Sequence, residues 1–190
     1  MNLLIGVTGS SGLIELPLYI RIFKEKLNAD IKIVASPNVK NFISLEFLNA
    51  LVENQLYSDF YQSKNGINVP HSDLNDWANA FIILPCTANT LAKAANGTTD
   101  DLLSMLILCS QVPVIFFPNM NPNMWSKPVV QRNAKLLIND GHKVAIPNGN
   151  GWITATGESV ENGHMPPPYA AAEYIRKIYN INNTETSVNN

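Results

Sequence analysis

Residues 3–12 read LLIGVTGSSG, a continuous apolar run that leads directly into a turn of glycine and hydroxyl side chains. An apolar run that does not alternate with polar residues is typical of a β-strand buried on both faces, as in a parallel sheet covered by helices. We therefore predict a buried strand at residues 3–7. Four more runs have the same character and lie at residues 31–35, 81–84, 112–117 and 144–146.

Helix-length segments lie between these strands. In residues 13–28 apolar side chains recur at helical spacing, and Pro17 places the helix start at or after Leu16, because proline is tolerated only in the first turn. Gly97 and Gly141 occupy positions where the C-terminal caps of two helices are expected. The other predicted helices cover residues 41–51, 74–80, 88–96, 99–110, 127–139 and 169–180.

The alternation of strands and helices predicts the fold class. We expect one α/β domain over residues 1–180, with a doubly wound, Rossmann-like (flavodoxin-like) parallel sheet and helices on both faces. Residues 57–70 are polar and predict a loop, with a short edge strand as the alternative. Residues 147–168 are rich in glycine and proline, which is typical of a lid, a binding loop or a disordered segment. Residues 181–190 are expected to form a flexible tail.

Composition excludes several classes of protein. Of the 190 residues, 46% are hydrophobic and 15% are charged, so the chain can bury a core and is not a disordered polyelectrolyte. The net charge of −2 offers no basic surface for nucleic acid or an anionic membrane. Two cysteines, without a CxxC pair or a Cys/His cluster, indicate neither a disulfide scaffold nor a metal site. The N-terminus lacks the features of a signal peptide, so we expect a cytoplasmic protein.

The ends of the predicted strands share one chemical character. Ligands of open α/β sheets bind at the carboxyl ends of the strands. These ends carry small or neutral polar residues and no carboxylate: TGSSG at 8–12, SPN at 36–38, PCTANT at 85–90, PNMN at 118–121 and PNG at 147–149. The sequence therefore predicts a site for an anion or a polar ring system.

The glycine-rich turn narrows the class of ligand. Its pattern is GxxGxxG rather than the dinucleotide pattern GxGxxG, Ser36 stands where an acidic residue would bind a ribose, and there is no Walker lysine. Backbone N–H groups and hydroxyls at the start of a helix still suit a phosphate. A mononucleotide such as FMN fits this turn better than NAD or ATP, and a plain tight turn is the alternative.

Among the titratable residues, His71 stands out. It precedes Ser72, which we expect to cap a helix running through Trp77. A histidine at such a place is most often solvated or part of the cap, and a catalytic base is the alternative. The two cysteines read as packing residues, because Cys109 falls within an apolar helix and Cys86 follows a buried strand.

The segment PNMNPNMW at residues 118–125 is a further candidate for binding. Asparagine amides donate and accept hydrogen bonds without carrying a charge, and methionine packs against flat aromatic surfaces. The alternative is an ordinary turn in which Met124 and Trp125 are hydrophobic plugs.

One stretch of the chain resembles the PASANT region of the flavin-dependent cysteine decarboxylases. It is TANT at 87–90, followed by ANG at 95–97 and DLL at 101–103. Cys86 takes the place of a small residue of that motif, and Thr87 replaces its central serine while keeping the hydroxyl.

Two more motifs resemble the same family. NMN at 119–121 with MW at 124–125 resembles its PxMNxxMW motif, and His71 with Leu74 and Trp77 resembles its active-site histidine segment. The resemblance runs from residue 3 to about residue 168 and is greatest with the lantibiotic peptidyl-cysteine decarboxylases.

The resemblance implies an activity, a cofactor and a set of site residues. These enzymes use FMN to decarboxylate oxidatively the C-terminal cysteine of a ribosomally made precursor peptide, giving an aminoenethiol. The resemblance implies that His71 accepts the thiol proton and that Asn121 binds the peptide carboxylate without over-stabilising its charge. The implied cofactor-binding residues are Gly9, Ser10, Ser11, Ser36, Thr87, Ala88, Asn89, Thr90 and Met120. The implied substrate-binding residues are Asn119, Asn121 and Thr156.

The resemblance also implies how the molecule assembles and closes over its substrate. Homotrimers are the building unit of the family and often assemble into dodecamers, with FMN at a subunit boundary. Residues 147–168 are our candidate for a clamp over the peptide.

Three alternative functions stay open at this point. Phosphopantothenoylcysteine decarboxylases of coenzyme A synthesis use PAMN where this chain has PNMN at 118–121, and they carry a cysteine where it has Thr156. Non-catalytic, flavin-binding regulatory relatives have long acidic tails, whereas residues 181–190 hold one glutamate, Glu185. Flavin prenyltransferases share the first turn but lack the histidine and PxMNxxMW motifs.

Overall fold

Six parallel strands form the central sheet of the computed structural model, which describes residues 1–53, 55–59, 70–147, 149–152 and 159–181, with backbone alone at 149–152 and 159–164. The strand order is 3-2-1-4-5-6, the order of a Rossmann-like sheet, which confirms the predicted fold class. The strands are β1 (Asn2–Val7), β2 (Asp30–Ala35), β3 (Leu56–Tyr57), β4 (Ala80–Cys86), β5 (Val114–Pro118) and β6 (Lys143–Val144).

Two strands differ in length from their predictions. The strand predicted at 112–117 begins only at Val114, because Pro113 has no N–H that could donate a hydrogen bond to the sheet. The strand predicted at 144–146 ends at Val144, and Ile146 beyond it is 73% exposed. The alternative of a short edge strand near residue 57 is confirmed by β3.

Eight α-helices lie in the described parts of the chain. They are α1 (Leu16–Leu27), α2 (Leu45–Leu51), α3 (Pro70–Trp77), α4 (Ala88–Ala95), α5 (Leu102–Cys109), α6 (Pro122–Trp125), α7 (Pro128–Asn139) and α8 (Pro168–Ile178). Two 3-10 turns at Ser11–Glu15 and Val39–Asn41 precede α1 and α2. None of these helices is long and apolar enough to cross a membrane.

Local capping explains where several helices begin. The start of α1 at Leu16 is as predicted from Pro17. The predicted helix at 41–51 begins only at Leu45, because the Ser44 side chain accepts a hydrogen bond from the Phe47 N–H (3.3 Å). The predicted helix at 99–110 begins at Leu102 for a similar reason, which is a capping box at its first turn.

The prediction that Ser72 caps a helix is wrong. α3 already begins at Pro70, so Ser72 lies inside it, and Ala80 belongs to β4 rather than to the helix. Proline is favoured in the first turn of a helix because its missing N–H has no partner there. His71 is therefore the second residue of α3.

The sheet is covered on both faces, which explains why its strands are continuously apolar. Neighbouring residues point to opposite faces, so Ile5 and Phe117 belong to one core while Leu4 and Phe116 belong to the other. α1 packs against α8 on the first face. On the second face α3 packs against α5 and α4 against α7.

The prediction of an irregular segment at 147–168 needs correction. Two antiparallel strands, β7 (Gly149–Trp152) and β8 (Ser159–His164), pair within it. Their residues have little strand propensity, so the pairing partner rather than local sequence decides the structure. After β8 the chain packs back on the domain, because Met165 is buried and the Tyr19 hydroxyl donates to the Pro166 carbonyl (2.6 Å).

Candidate active site

The strand order places a crevice at one point of the sheet. From β1 the chain continues to β2 on one side, and from β4 it continues to β5 on the other. In such sheets the crevice outside the carboxyl ends of the strands, where the order reverses, is the usual binding site. The loops at this point are 8–12 after β1 and 87–90 after β4, so two of the predicted binding stretches are neighbours.

Thr8 joins these two loops. Its side chain is buried, and its hydroxyl donates to the Pro85 carbonyl (2.8 Å) and accepts from the Thr87 N–H (3.0 Å). Thr8 lies in the predicted glycine-rich turn, but no role was predicted for it. The available signal was a β-branched hydroxyl residue directly after a buried strand.

Ser10 and Asn119 join the β1 loop to the β5 loop. The Ser10 hydroxyl donates to the Asn119 side-chain carbonyl and accepts from the Gly12 N–H (3.2 Å). The Asn119 N–H donates to the Cys86 carbonyl (2.8 Å), which adds the β4 loop to the same network. A predicted cofactor-binding residue and a predicted substrate-binding residue are thus bonded to each other.

Two glycines allow the close packing of this turn. A Cβ atom at Gly12 would lie 2.9 Å from the Asn119 side-chain oxygen, and one at Gly9 would lie 3.0 Å from the Asn38 carbonyl oxygen. The second contact brings the loop after β2 against the turn, where the Ser36 N–H donates to the Val7 carbonyl (2.9 Å). At Gly9 the neighbour is backbone, which cannot easily move aside for a Cβ atom, whereas at Gly12 the neighbours are the side chains of Asn119 and Met165.

The stretch 87–90 forms the start of α4. Thr87 is its N-cap, and the Thr87 hydroxyl accepts from the Thr90 N–H (3.4 Å). Ala88 is half-buried, Asn89 is exposed and Thr90 is buried. The first N–H groups of a helix lack intrahelical partners and lie at its positive end, so this terminus can bind an anion.

Two residues of the PNMN stretch differ from Asn119 in their surroundings. Met120 is half-buried and packs against the second core. Asn121 is exposed, and its side-chain oxygen accepts from the Asn123 N–H (2.8 Å) as the N-cap of α6. This cap uses the side-chain oxygen of Asn121 and not its amide nitrogen.

The direction of α3 places His71 near the same edge of the sheet. Trp77, the last residue of α3, is close to the start of β4, so α3 runs against the direction of the strands and begins at their carboxyl end. His71 is half-buried there. Within the described ranges no hydrogen bond joins it to the network of Thr8, Ser10 and Asn119, so its predicted role stays a prediction. Thr156 and residue 148 lie outside the described residues.

The cysteines behave differently from each other. Cys86 is buried at the end of β4, its thiol donates weakly to the Thr87 carbonyl (3.6 Å), and burial raises its pKa. This thiol is therefore protonated near neutral pH. The prediction that Cys109 is a core residue is wrong, because it is the exposed last residue of α5.

His142 is bonded to the first residue of β5, away from the carboxyl edge of the sheet. Its Nδ1 accepts from the Val114 N–H (3.1 Å), and its ring forms a T-shaped contact with the ring of Phe116. Burial lowers the pKa of His142, since the charged imidazolium is poorly solvated there.

Comparison with known proteins identifies similar sequences and structures. A family model described as Flavoprotein matches residues 1–179. The chain is 34% identical over 177 residues to mersacidin decarboxylase of Bacillus sp. (strain HIL-Y85/54728), which covers 93% of this chain and 89% of that protein. The crystal structure of the FMN-dependent cysteine decarboxylase SpaF matches with a TM-score of 0.78 at 29% identity, over 94% of this chain and 97% of that one.

A second kind of relative matches this chain over only a small part of its own length. The chain is 35% identical over 120 residues to the coenzyme A biosynthesis bifunctional protein CoaBC of Bacillus subtilis (strain 168). This match covers 63% of the chain and 30% of the bifunctional protein.

Proposed function

Because this chain belongs to the Flavoprotein family, we propose that it is an FMN-dependent enzyme that oxidatively decarboxylates the C-terminal cysteine of a ribosomally made precursor peptide. The observation that carries the proposal is the carboxyl edge of the sheet. There the loops after β1, β4 and β5 are hydrogen-bonded together through Thr8, Ser10 and Asn119, and none of the residues at 8–12, 87–90 and 119–121 is a carboxylate.

The residues at this edge fit FMN. A phosphate needs N–H and hydroxyl donors, and the edge has the first-turn N–H groups of α4 together with the exposed Ser11 and the half-buried Ser36. The close approach of Gly9 to Asn38 brings the loops after β1 and β2 within reach of one ligand. FMN, when bound, takes up the two electrons and two hydrogens that leave the cysteine.

The chain's own residues supply the remaining chemistry. We assign His71 as the base, since an imidazole can accept a thiol proton near neutral pH. We assign Asn121 to the substrate carboxylate, because a neutral amide orients a group that must lose its charge without over-stabilising it. The peptide loses CO2 and two hydrogens, and the product is an aminoenethiol.

The choice of a peptide as substrate is supported by two observations. The match to mersacidin decarboxylase covers nearly all of both proteins. The chain also has PNMN at 118–121 and Thr156 where the resemblance to phosphopantothenoylcysteine decarboxylases would require PAMN and a cysteine.

A second candidate function is the decarboxylation of phosphopantothenoylcysteine. The similarity to the coenzyme A protein of Bacillus subtilis, at 35% identity, favours it. The two functions share the cofactor and the decarboxylation, and they differ in what lies before the reacting cysteine.

Mass spectrometry distinguishes the two functions. Purified protein is first checked for a flavin absorbance spectrum and then incubated with a peptide that ends in cysteine or with phosphopantothenoylcysteine. We expect the peptide to lose CO2 and two hydrogens, and the small substrate to react far more slowly. Matched peptides that end in serine, or in cysteine amide, should be inert because they lack the thiol or the carboxylate. A colourless protein that does not bind FMN would refute the proposal.

A further inference from the structure

The end of β4 pairs with β5 at Cys86 and Pro118 but has no register partner in β1. The pairing of β1 with β4 ends at Gly6 and Ile83, and the pairing of β4 with β5 is irregular between Ile83 and Cys86. Residues 84–87 nevertheless lead into α4, whose first turn lies at the proposed cofactor site. On the β5 side the Asn119 N–H holds the Cys86 carbonyl (2.8 Å), so a contact from the β1 side is what remains to fix the direction in which this helix begins.

The hydroxyl of Thr8 provides such a contact on both sides of Cys86. It donates to the carbonyl of Pro85 at 2.8 Å and accepts from the N–H of Thr87 at 3.0 Å. Thr8 is 1% exposed, so neither bond competes with water. Thr8 is also followed directly by Gly9 and Ser10 of the glycine-rich turn.

We propose that Thr8 is a positioning residue for the cofactor, which sets the N-terminus of α4 relative to the glycine-rich turn. Its hydroxyl acts on the cofactor through the α4 backbone and not by touching it. This inference rests on the proposed function only for the identity of the ligand, because the two hydrogen bonds belong to the chain alone.

Three variants test the role of the hydroxyl. Thr8→Val keeps the shape of the side chain and removes the hydroxyl, whereas Thr8→Ser keeps the hydroxyl and removes the methyl group. The matched control is Tyr179→Phe. The Tyr179 hydroxyl also bonds to the backbone of β4, but at the opposite end of that strand. It accepts from the Phe81 N–H (3.0 Å), and the carbonyls of Phe81 (2.9 Å) and Pro113 share its one hydrogen.

The first measurement is the affinity of each protein for FMN. Binding is monitored through the quenching of flavin fluorescence. Losing both hydrogen bonds should weaken binding about tenfold in Thr8→Val, and Thr8→Ser should restore it to near the wild-type value. Tyr179→Phe should lower thermal stability while its FMN affinity stays at the wild-type value. Equal affinities of Thr8→Val and wild type, or an equal loss in Tyr179→Phe, would overturn the proposal.

The second measurement needs neither cofactor nor substrate. Amide hydrogen exchange at Thr87 in the cofactor-free protein should be slow in wild type and in Thr8→Ser, and fast in Thr8→Val. Fast exchange in wild type would refute the inference. A wild-type protein that binds FMN but does not convert the peptide would refute the substrate assignment and leave the Thr8 inference intact, so the two failures are distinguishable.

Discussion

Asn119 and Asn121 are two positions apart and have different surroundings. Asn119 is buried and bonded to Ser10, whereas Asn121 is exposed and bonded to the backbone of its own short helix. The family resemblance implied that both bind the substrate. The contact with Ser10 favours a role for Asn119 in shaping the turn, and its contact with a substrate stays a prediction.

Substitution of Asn121 separates its cap from its proposed role in binding. Asn121→Ser and Asn121→Asp both keep an oxygen that can accept from the Asn123 N–H, so both should retain the stability of the wild type. The aspartate also places a negative charge beside the substrate carboxylate and should raise the KM for the peptide about tenfold or more. Steady-state kinetics on the cysteine peptide measure this, and an Asn121→Ala protein with wild-type rates would remove the assigned role.

Substitution of His71 tests the proposed base. His71→Asn should retain FMN and its absorbance spectrum but lose about 100-fold to 10,000-fold in turnover, the usual contribution of a general base. The rate is measured as loss of CO2 and two hydrogens from the peptide. His142→Asn is the matched control and should keep its activity, because His142 is bonded to the Val114 backbone. A His71→Asn protein within about threefold of wild type would contradict the assignment.

At the scale of the elements, caps and prolines decide where the helices begin. Periodicity predicted α5 from residue 99, but the capping box of Asp101 and Ser104 delays it to Leu102. The capping-box pattern is a local sequence signal, and it would have predicted this boundary if it had been given more weight than periodicity. The pair β7 and β8 is different, since no local pattern in a glycine-rich segment reveals a partner strand.

His142, which follows α7 and accepts a hydrogen bond from β5, should make the free energy of unfolding depend on pH. Burial lowers the pKa of His142 in the folded protein, so the unfolded chain binds a proton more readily. Stability should therefore be fully present above the unfolded pKa of histidine, near 6.5, and should fall as the pH drops below it. His142→Asn keeps an acceptor for the Val114 N–H and should show a flatter profile in denaturant unfolding between about pH 8 and pH 5. Identical slopes in the two proteins would contradict this explanation.

At the scale of the whole molecule, large apolar side chains are exposed in segments that follow the carboxyl ends of the strands. Ile14 is 84% exposed and Phe42 is 54% exposed, and Phe47 and Met124 are exposed as well. Leu108, Leu136 and Ile138 are exposed elsewhere in the described residues. Exposed apolar surface of this kind is typical of an interface. The expected assembly, from the family resemblance, is a homotrimer that can build a dodecamer.

Light scattering on the purified protein tests this expectation. We expect a mass of three times the chain mass of 20.9 kDa, or a multiple of that trimer. The mass should not change with dilution into the low micromolar range if the apolar side chains are buried between copies. A monomer at all concentrations would contradict the prediction.

The sequence by itself determined the class of fold, because continuous apolar runs separated by helical stripes can be buried only in a sheet with helices on both faces. It also indicated the edge at which we expect the ligand to bind, since the carboxyl ends of parallel strands are fixed once their direction is known. The tertiary structure alone decided which groups at that edge meet. Thr8 contacts Thr87 across 79 positions and Ser10 contacts Asn119 across 109. Contacts over such separations depend on strand order and register, which no local pattern of residues encodes.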